Sequence, residues 1–327
     1  MSPLERSWYR FSWLTVLLLP LAALYCVVTG LRRALYRLGI LATVRLEVPV
    51  LVVGNLTVGG TGKTPLVIFL ACALRDRGYH PGIVSRGYGG KSDSWPREVH
   101  PDSDPALVGD EPVLLARHCE CPVWVGPDRV AAARQLLRAH DCDVLLSDDG
   151  LQHLRLGRDF EIVVIDGERR FGNGLCLPAG PMRDPMGRLR DIDLVVVNGK
   201  AKYPGELEMK LHAQELMPVR NGSAISFDAF RGKSVHALAG IGNPGRFFRQ
   251  LEALGMKPVP HAFPDHHRFC AADLEFANDL DIIMTEKDAV KCREIASDKC
   301  WYLAVRAEVD PDVLRQMENT LNRRNRG

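Results

Sequence analysis

Val50-Leu51-Val52-Val53-Gly54-Asn55-Leu56-Thr57-Val58-Gly59-Gly60-Thr61-Gly62-Lys63-Thr64 is the stretch on which the fold turns. It reads as a short apolar strand, a glycine-rich turn and the opening of a helix, and each part has a task in holding the phosphates of ATP. Glycines let backbone N–H groups approach phosphate oxygens without a Cβ clash, and a helix N-terminus adds positive partial charge. Lys63 is placed to reach the β- and γ-phosphates, and the Thr64 hydroxyl to ligate Mg²⁺. The strict pattern G-x-x-x-x-G-K-[ST] fails at its first glycine, where this chain has Thr57, and Gly59 and Gly60 supply the turn instead. The expected nucleotide-binding set is therefore Thr57, Gly59, Gly60, Thr61, Gly62, Lys63 and Thr64.

A chance Gly-Lys-Thr is common, so the reading needs a second motif. Val144-Leu145-Leu146-Ser147-Asp148-Asp149-Gly150 supplies it, an apolar strand ending in two carboxylates. An acid at the carboxyl end of a strand beside a phosphate loop is where Mg²⁺ needs an oxygen ligand or an ordered water. Asp148 or Asp149 is the expected metal-side residue, although Asp-Gly is also a turn dipeptide.

On either side of these motifs, apolar β-branched runs at 48–53, 82–85, 122–125, 144–147, 161–165 and 194–197 alternate with helical patterns at 65–77, 111–119 and 128–139. Near-continuous apolar strands separated by helices predict an α/β fold, a P-loop NTPase-like parallel sheet with helices on both faces. A second, smaller α/β domain is expected from residue 223, with strands at 234–238, 282–285 and 302–305. Pro204-Gly205 and Asn221-Gly222 are turn signals near the junction. The expected organisation is an N-terminal membrane-associated helix over 1–40, a P-loop domain over 41–222 and a smaller C-terminal α/β domain over 223–327.

The helix over 1–40 rests on residues 11–30, twenty positions without a charge, which as a helix span roughly 30 Å, the thickness of a bilayer core. A secretory signal has a shorter apolar stretch and a small-residue cleavage site. Arg6 and Arg10 precede the segment, and Arg32, Arg33 and Arg37 follow it, a flank that suits an anionic lipid surface. Pro20 is expected to bend it, with Trp8, Tyr9, Trp13 and Tyr25 at headgroup depth.

Composition excludes several classes. Lysine plus arginine (42) nearly balances aspartate plus glutamate (40), so no strong field points to nucleic acid as a partner. The run Arg323-Arg324-Asn325-Arg326 reads as a solvated end. Nine scattered cysteines do not form a disulfide framework, and Cys119 and Cys121, without a second ligand pair at metal spacing, read as packing residues.

Four further segments carry chemistry in principle. Asp110, in Gly109-Asp110-Glu111-Pro112, is either a helix-start charge or the acceptor of a proton from an attacking hydroxyl. Asp265-His266-His267 is open to metal binding, acid–base work or a plain surface loop. Arg86, in Ser85-Arg86-Gly87-Tyr88-Gly89-Gly90, either faces a phosphate or belongs to a glycine loop. Thr285-Glu286-Lys287-Asp288 ends a strand and either presents its charged residues to a ligand or caps a helix.

In their order along the chain these segments resemble the tetraacyldisaccharide 4′-kinase family of lipid A assembly. Gly54 to Pro65, Ser85 to Gly89, Gly109 to Pro112 and Asp148 to His153 carry the resemblance. So do Phe171-Gly172-Asn173-Gly174, Leu177 to Asp184, Asp265 to His267 and Thr285 to Val290. The usual phosphate loop of that family also lacks the first glycine. The resemblance implies an inner-membrane enzyme facing the cytoplasm that uses Mg-ATP to phosphorylate the 4′ position of an acylated disaccharide lipid, with no obligate protein partner. It further implies that the acid matching Asp110 is the base, assisted by the histidine matching His266, and that Asp184 lies near the metal, where the family often has glutamate. A membrane-associated nucleotide switch, a phosphoesterase built on Asp265-His266-His267, and a binding module with a degenerate nucleotide site are the rival classes.

Overall fold

A computed structural model describes residues 3–10 and 12–324. Phe11 of the apolar stretch and Asn325 and Arg326 of the basic tail lie outside the described residues. The chain runs α1 (Pro3–Ser7), α2 (Trp13–Arg37), β1 (Val50–Gly54), α3 (Lys63–Arg75), β2 (Pro81–Ser85), β3 (Arg97–Val99), α4 (Pro105–Val108) and α5 (Asp110–Cys119). It continues through β4 (Val123–Val125), α6 (Arg129–Ala139), β5 (Val144–Asp148), β6 (Phe160–Asp166), β7 (Leu194–Asn198) and β8 (Glu206–Pro218). The remaining elements are β9 (Ser234–Ala239), α7 (Pro244–Ala253), β10 (Lys257–Ala262), β11 (Ile282–Thr285), α8 (Glu286–Cys292), β12 (Cys300–Val309) and α9 (Pro311–Arg324).

Among the described residues all twelve strands join one sheet in the order β10-β9-β11-β12-β8-β7-β6-β1-β5-β2-β4-β3. Pairing is parallel except where β12 meets β8 and β3 meets β4. Strand periodicity sends alternate residues to opposite faces. Leu51 and Val53 of β1 therefore join one core with Leu66 and Leu70 of α3 and Val113 and Leu115 of α5, while Val50 and Val52 join the other with Val130 and Leu136 of α6. Both faces are covered, as the apolar runs imply. The carboxyl ends of β1, β2, β5, β6 and β7 point the same way, which gathers the loops after Gly54, Ser85, Asp148, Asp166 and Asn198 at one rim. Ligands of open parallel sheets bind at that rim.

The antiparallel pair β8–β12 continues the sheet from the P-loop unit into the smaller one. Gly205 and Gly222, both at positive φ, bracket β8, so the two turn signals mark the ends of the joining strand. Helix α9 leaves the smaller unit and buries Val313, Met317 and Leu321 in the core beside α3. Its last described residue, Arg324, pairs with Asp159 and donates to the Leu46 carbonyl, so this part of the basic tail is docked rather than solvated.

Helix α2 is continuous through Pro20, which removes only the bond to the Val16 carbonyl. It is the one described helix long and apolar enough to cross a membrane. Its inward face docks on the body: the Trp8 indole ahead of it donates to the Pro178 carbonyl, Tyr25 Oη donates to the Arg183 carbonyl at 2.9 Å, Arg33 pairs with Asp184 and Arg37 with Asp191. On the opposite face Trp13, Leu17, Leu21, Leu24, Val28 and Leu31 form an exposed apolar stripe at helical spacing.

Candidate active site

The phosphate loop is held open by what surrounds it. Gly62 sits at φ +98 as the residue preceding α3, and a Cβ there would meet the Asn198 amide nitrogen at 2.5 Å, so only glycine fits. No side chain caps the N-terminus of α3, which leaves its first N–H groups for a phosphate. Behind the loop, Asn198 Nδ2 donates to the Thr61 carbonyl at 3.0 Å, Val58 N donates to the Pro181 carbonyl and Arg183 N donates to the Leu56 carbonyl. The Leu177 to Asp184 segment is thus the back wall of the loop, and Thr57 pairs across it with Met182. The Thr61 hydroxyl is buried without a partner, Lys63 is 8% exposed, and Thr64 faces the adjoining cavity.

The two acids after β5 are in different surroundings. Asp149, at φ +49, accepts from Arg183 at 2.9 and 3.1 Å and lies 3.6 Å from Lys63 Nζ. Burial raises its proton affinity, but Lys63 and Arg183 outweigh it and hold the carboxyl down at about 2. Asp148 is fully buried; Oδ2 accepts from Ser85 Oγ at 3.1 Å, and Oδ1 has no partner. Burial, reinforced by Glu111 and Asp149, pushes it up to about 7 against the pull of Lys63 and Ser85. A buried, unpartnered carboxylate oxygen beside a free helix N-terminus fits a Mg²⁺ that comes in with a triphosphate. Among the described residues no cluster of three or more His, Cys, Asp or Glu forms a ready cage, which suits an ion that takes one or two carboxylates, phosphate oxygens and waters. Asp184 has other partners: it pairs with Arg33 and accepts from Gln152 Nε2 at 2.8 Å, tying α2 to the back wall.

Asp110 opens α5 and is 4% exposed. His266, from the smaller unit and at φ +59, places Nδ1 3.2 Å from both carboxylate oxygens. Burial raises the Asp110 value, and His266, Lys287 and Lys291 together overcome it, to about 2. Glu111, next to Asp110, lines the same cavity as Lys63 and Thr64, and its charge bears on Asp148. The two histidines diverge: His267 stacks on Phe263 and bonds Asp273 at 3.0 Å, which leaves no paired-histidine metal site for a phosphoesterase. Arg86 is exposed on its glycine loop, and the Tyr88 and His266 rings form a T-shaped pair with centroids 4.8 Å apart. Thr285 caps α8.

Several residues here were not marked as site residues by the sequence reading. Lys287 contacts Glu111, Asp265 and His266. Arg169, oriented by Asp166, donates to the Gly60 carbonyl at 2.8 Å and the Gly242 carbonyl at 2.7 Å, joining the phosphate loop to the smaller unit. A Cβ on Gly242 would lie 2.4 Å from the Gly60 nitrogen, so that contact requires glycine. The only advance signal was position: Lys287 lies in a quoted motif, and Arg169 two residues ahead of another. Between the units lies a cavity of about 890 Å³ lined by Thr61 to Pro65, Asp166, Asn198, Gly242 and Lys287, ample for a nucleotide.

Comparison with known proteins agrees with this geometry. The family profile described as tetraacyldisaccharide-1-P 4′-kinase matches residues 14–322. The chain is 54% identical to the tetraacyldisaccharide 4′-kinase of Nitrosococcus oceani over 298 residues, 91% of this chain and 88% of that protein. It is 54% identical to the one from Alkalilimnicola ehrlichii over 325 residues, 99% of this chain and 98% of that protein. The crystal structure of the "apo" form of LpxK from Aquifex aeolicus in complex with ATP superposes with a TM-score of 0.79 at 28% identity, covering 94% of this chain and 99% of that one. A parallel sheet with an uncapped phosphate loop, and a match along nearly the whole sequence, lead to one conclusion: this chain belongs to the tetraacyldisaccharide-1-P 4′-kinase family.

Proposed function

We propose that the chain transfers the γ-phosphate of ATP to the 4′-hydroxyl of a tetraacyldisaccharide 1-phosphate, giving lipid IVA, at the cytoplasmic face of the inner membrane. The observation that carries this reading is the Asp110–His266 dyad, assembled from two units, whose neighbours Glu111 and Lys287 line the cavity of the phosphate loop. A nucleotide switch has no need of such a dyad.

Mg-ATP, when bound, supplies the electrophilic phosphorus and a cation that offsets charge on the transferring group. Loop amides and Lys63 hold the phosphates, and Thr64 with Asp148 takes the metal side, while Asp149 keeps Lys63 and Arg183 in place. Asp110 receives the proton of the acceptor hydroxyl through a carboxylate oxygen, and His266 orients that carboxylate. Catalysis is then mostly positioning and charge stabilisation.

The acceptor arrives from the lipid surface. Because α2 docks one face on the body, its apolar stripe enters a single leaflet rather than spanning the bilayer. Units 41–222 and 223–327 close on each other over the two substrates, with β8–β12 as the joint. Replacing Asp110 by asparagine, which keeps the shape and removes the base, is expected to lower turnover at least about 10²-fold while nucleotide affinity stays within a few-fold. Near-wild-type turnover in that variant would remove Asp110 from the role of base.

A further inference from the structure

Helix α8 sets Lys287 and Lys291 one turn apart, both toward the start of α5. Lys291 pairs with Asp288 at 2.8 Å and stands 3.7 Å from Asp110. Lys287 is more confined: its ammonium lies 3.0 Å from Glu111 Oε1, 3.4 Å from Asp265 Oδ1 and 3.3 Å from His266 Nε2. Burial works against its charge, but Glu111, Asp110 and Asp265 outweigh burial and hold it protonated well above the ordinary lysine value. An ammonium has three donors and no acceptor, and here two carboxylate oxygens and one ring nitrogen surround it.

That count decides where the imidazole proton resides. The contact with Nε2 is attractive only if that nitrogen presents its lone pair, so the ring proton belongs on Nδ1, which then donates to the Asp110 carboxylate. The opposite tautomer sets N–H against N–H at 3.3 Å and turns a lone pair toward a carboxylate, replacing two attractive contacts by two repulsive ones. No other neighbour competes. Asp265 is 3.8 Å from Nε2 and already accepts from Lys287, and Tyr88 meets the imidazole in a T-shaped ring contact. We infer that Lys287 is the positioning residue that places the proton of His266 on Nδ1 and so keeps the ring a donor to Asp110. Because Lys287 reaches Glu111 in one unit and the Asp265–His266 turn in the other, the tautomer is set only when the units meet. The consequence for turnover rests on the proposed role of Asp110 as base, whereas the tautomer rests on geometry alone.

The test uses full-length protein in detergent micelles with ¹⁵N-labelled histidine rings, the His266 signals being assigned by their loss in His266→Gln. Wild type is expected to show a protonated Nδ1 and an unprotonated Nε2 at neutral pH. Lys287→Met is expected to lose that signature and to lower kcat about tenfold or more with the KM for ATP changed less than about threefold. Lys287→Arg, which restores a donor to Nε2, is expected to recover the signature and most of kcat. A wild-type ring protonated on Nε2, or a Lys287→Met ring unchanged from wild type, overturns the inference. The wild-type outcome with the proton on Nε2 overturns the inference even if the methionine variant does not fold, and Lys287→Arg then tests the donor at Nε2. Undiminished turnover in Asp110→Asn beside the expected ring signature would instead sink the base reading and leave the tautomer assignment standing.

Discussion

Asp148 and Asp149 are chemically identical neighbours with opposite proton affinities, because one meets two cations and the other meets none directly. Coordination of Mg²⁺ requires the ionised form of Asp148, and its value near 7 makes binding compete with a proton. Mg²⁺ affinity, read by calorimetry with a nonhydrolysable nucleotide, is therefore expected to weaken as pH falls from 8 to 6, by up to about tenfold per unit below 7. In Asp148→Asn that slope should vanish, and a flat profile in wild type would exclude Asp148 as the titrating ligand. At this scale the sequence showed residue type and motif but not pairing. Lys63, Asp110 and the Asp148–Asp149 pair were marked in advance, and His266 was marked through the family resemblance. Glu111 and Lys287 stand 176 positions apart, and nothing local in either segment announces the contact. A lysine in the first turn of a short helix looks like a solvated charge until the partner strands are folded beside it.

Among elements, α2 shows how far composition goes. The uncharged run and its basic flank were readable, while the docked face, with Tyr25 and Arg33 turned to the body, depends on a loop 150 residues later. Deleting residues 1–40 is expected to release the protein from membranes, measured by sedimentation with vesicles containing anionic lipid, and unchanged sedimentation would refute the anchor. The buried parallel strands were legible because burial on both faces leaves continuous apolar runs, as in β1, β5 and β6. Three strands escaped for physical reasons. The edge strand β3 is three residues long, and β10 holds Pro258 and Pro260 at the opposite edge, where missing N–H groups are tolerated. The antiparallel β8 is partly exposed along its length and carries charges that break the pattern.

For the molecule as a whole, the sequence reading placed a second α/β domain from residue 223 without saying how its strands meet the first, and the structure joins both in one sheet. In the proposed closure the units move about β8 and β12, with Arg169 as the bridge that meets the phosphate loop. Arg169→Met is expected to weaken nucleotide binding roughly tenfold, the worth of about one charge-assisted hydrogen bond, and to expose the 240–243 turn to limited proteolysis. Unchanged affinity and protection would mean that the bridge is incidental to closure.

The account stands on the claim that this cleft joins a nucleotide's terminal phosphate to an acylated sugar hydroxyl. Incubating the purified full-length protein with γ-labelled ATP, Mg²⁺ and tetraacyldisaccharide 1-phosphate in mixed micelles, and locating the label by mass spectrometry of the lipid, tests that claim directly. The account predicts label at the 4′ position, dependent on Lys63 and Asp110; label released only as inorganic phosphate, with the lipid unmodified, would contradict it.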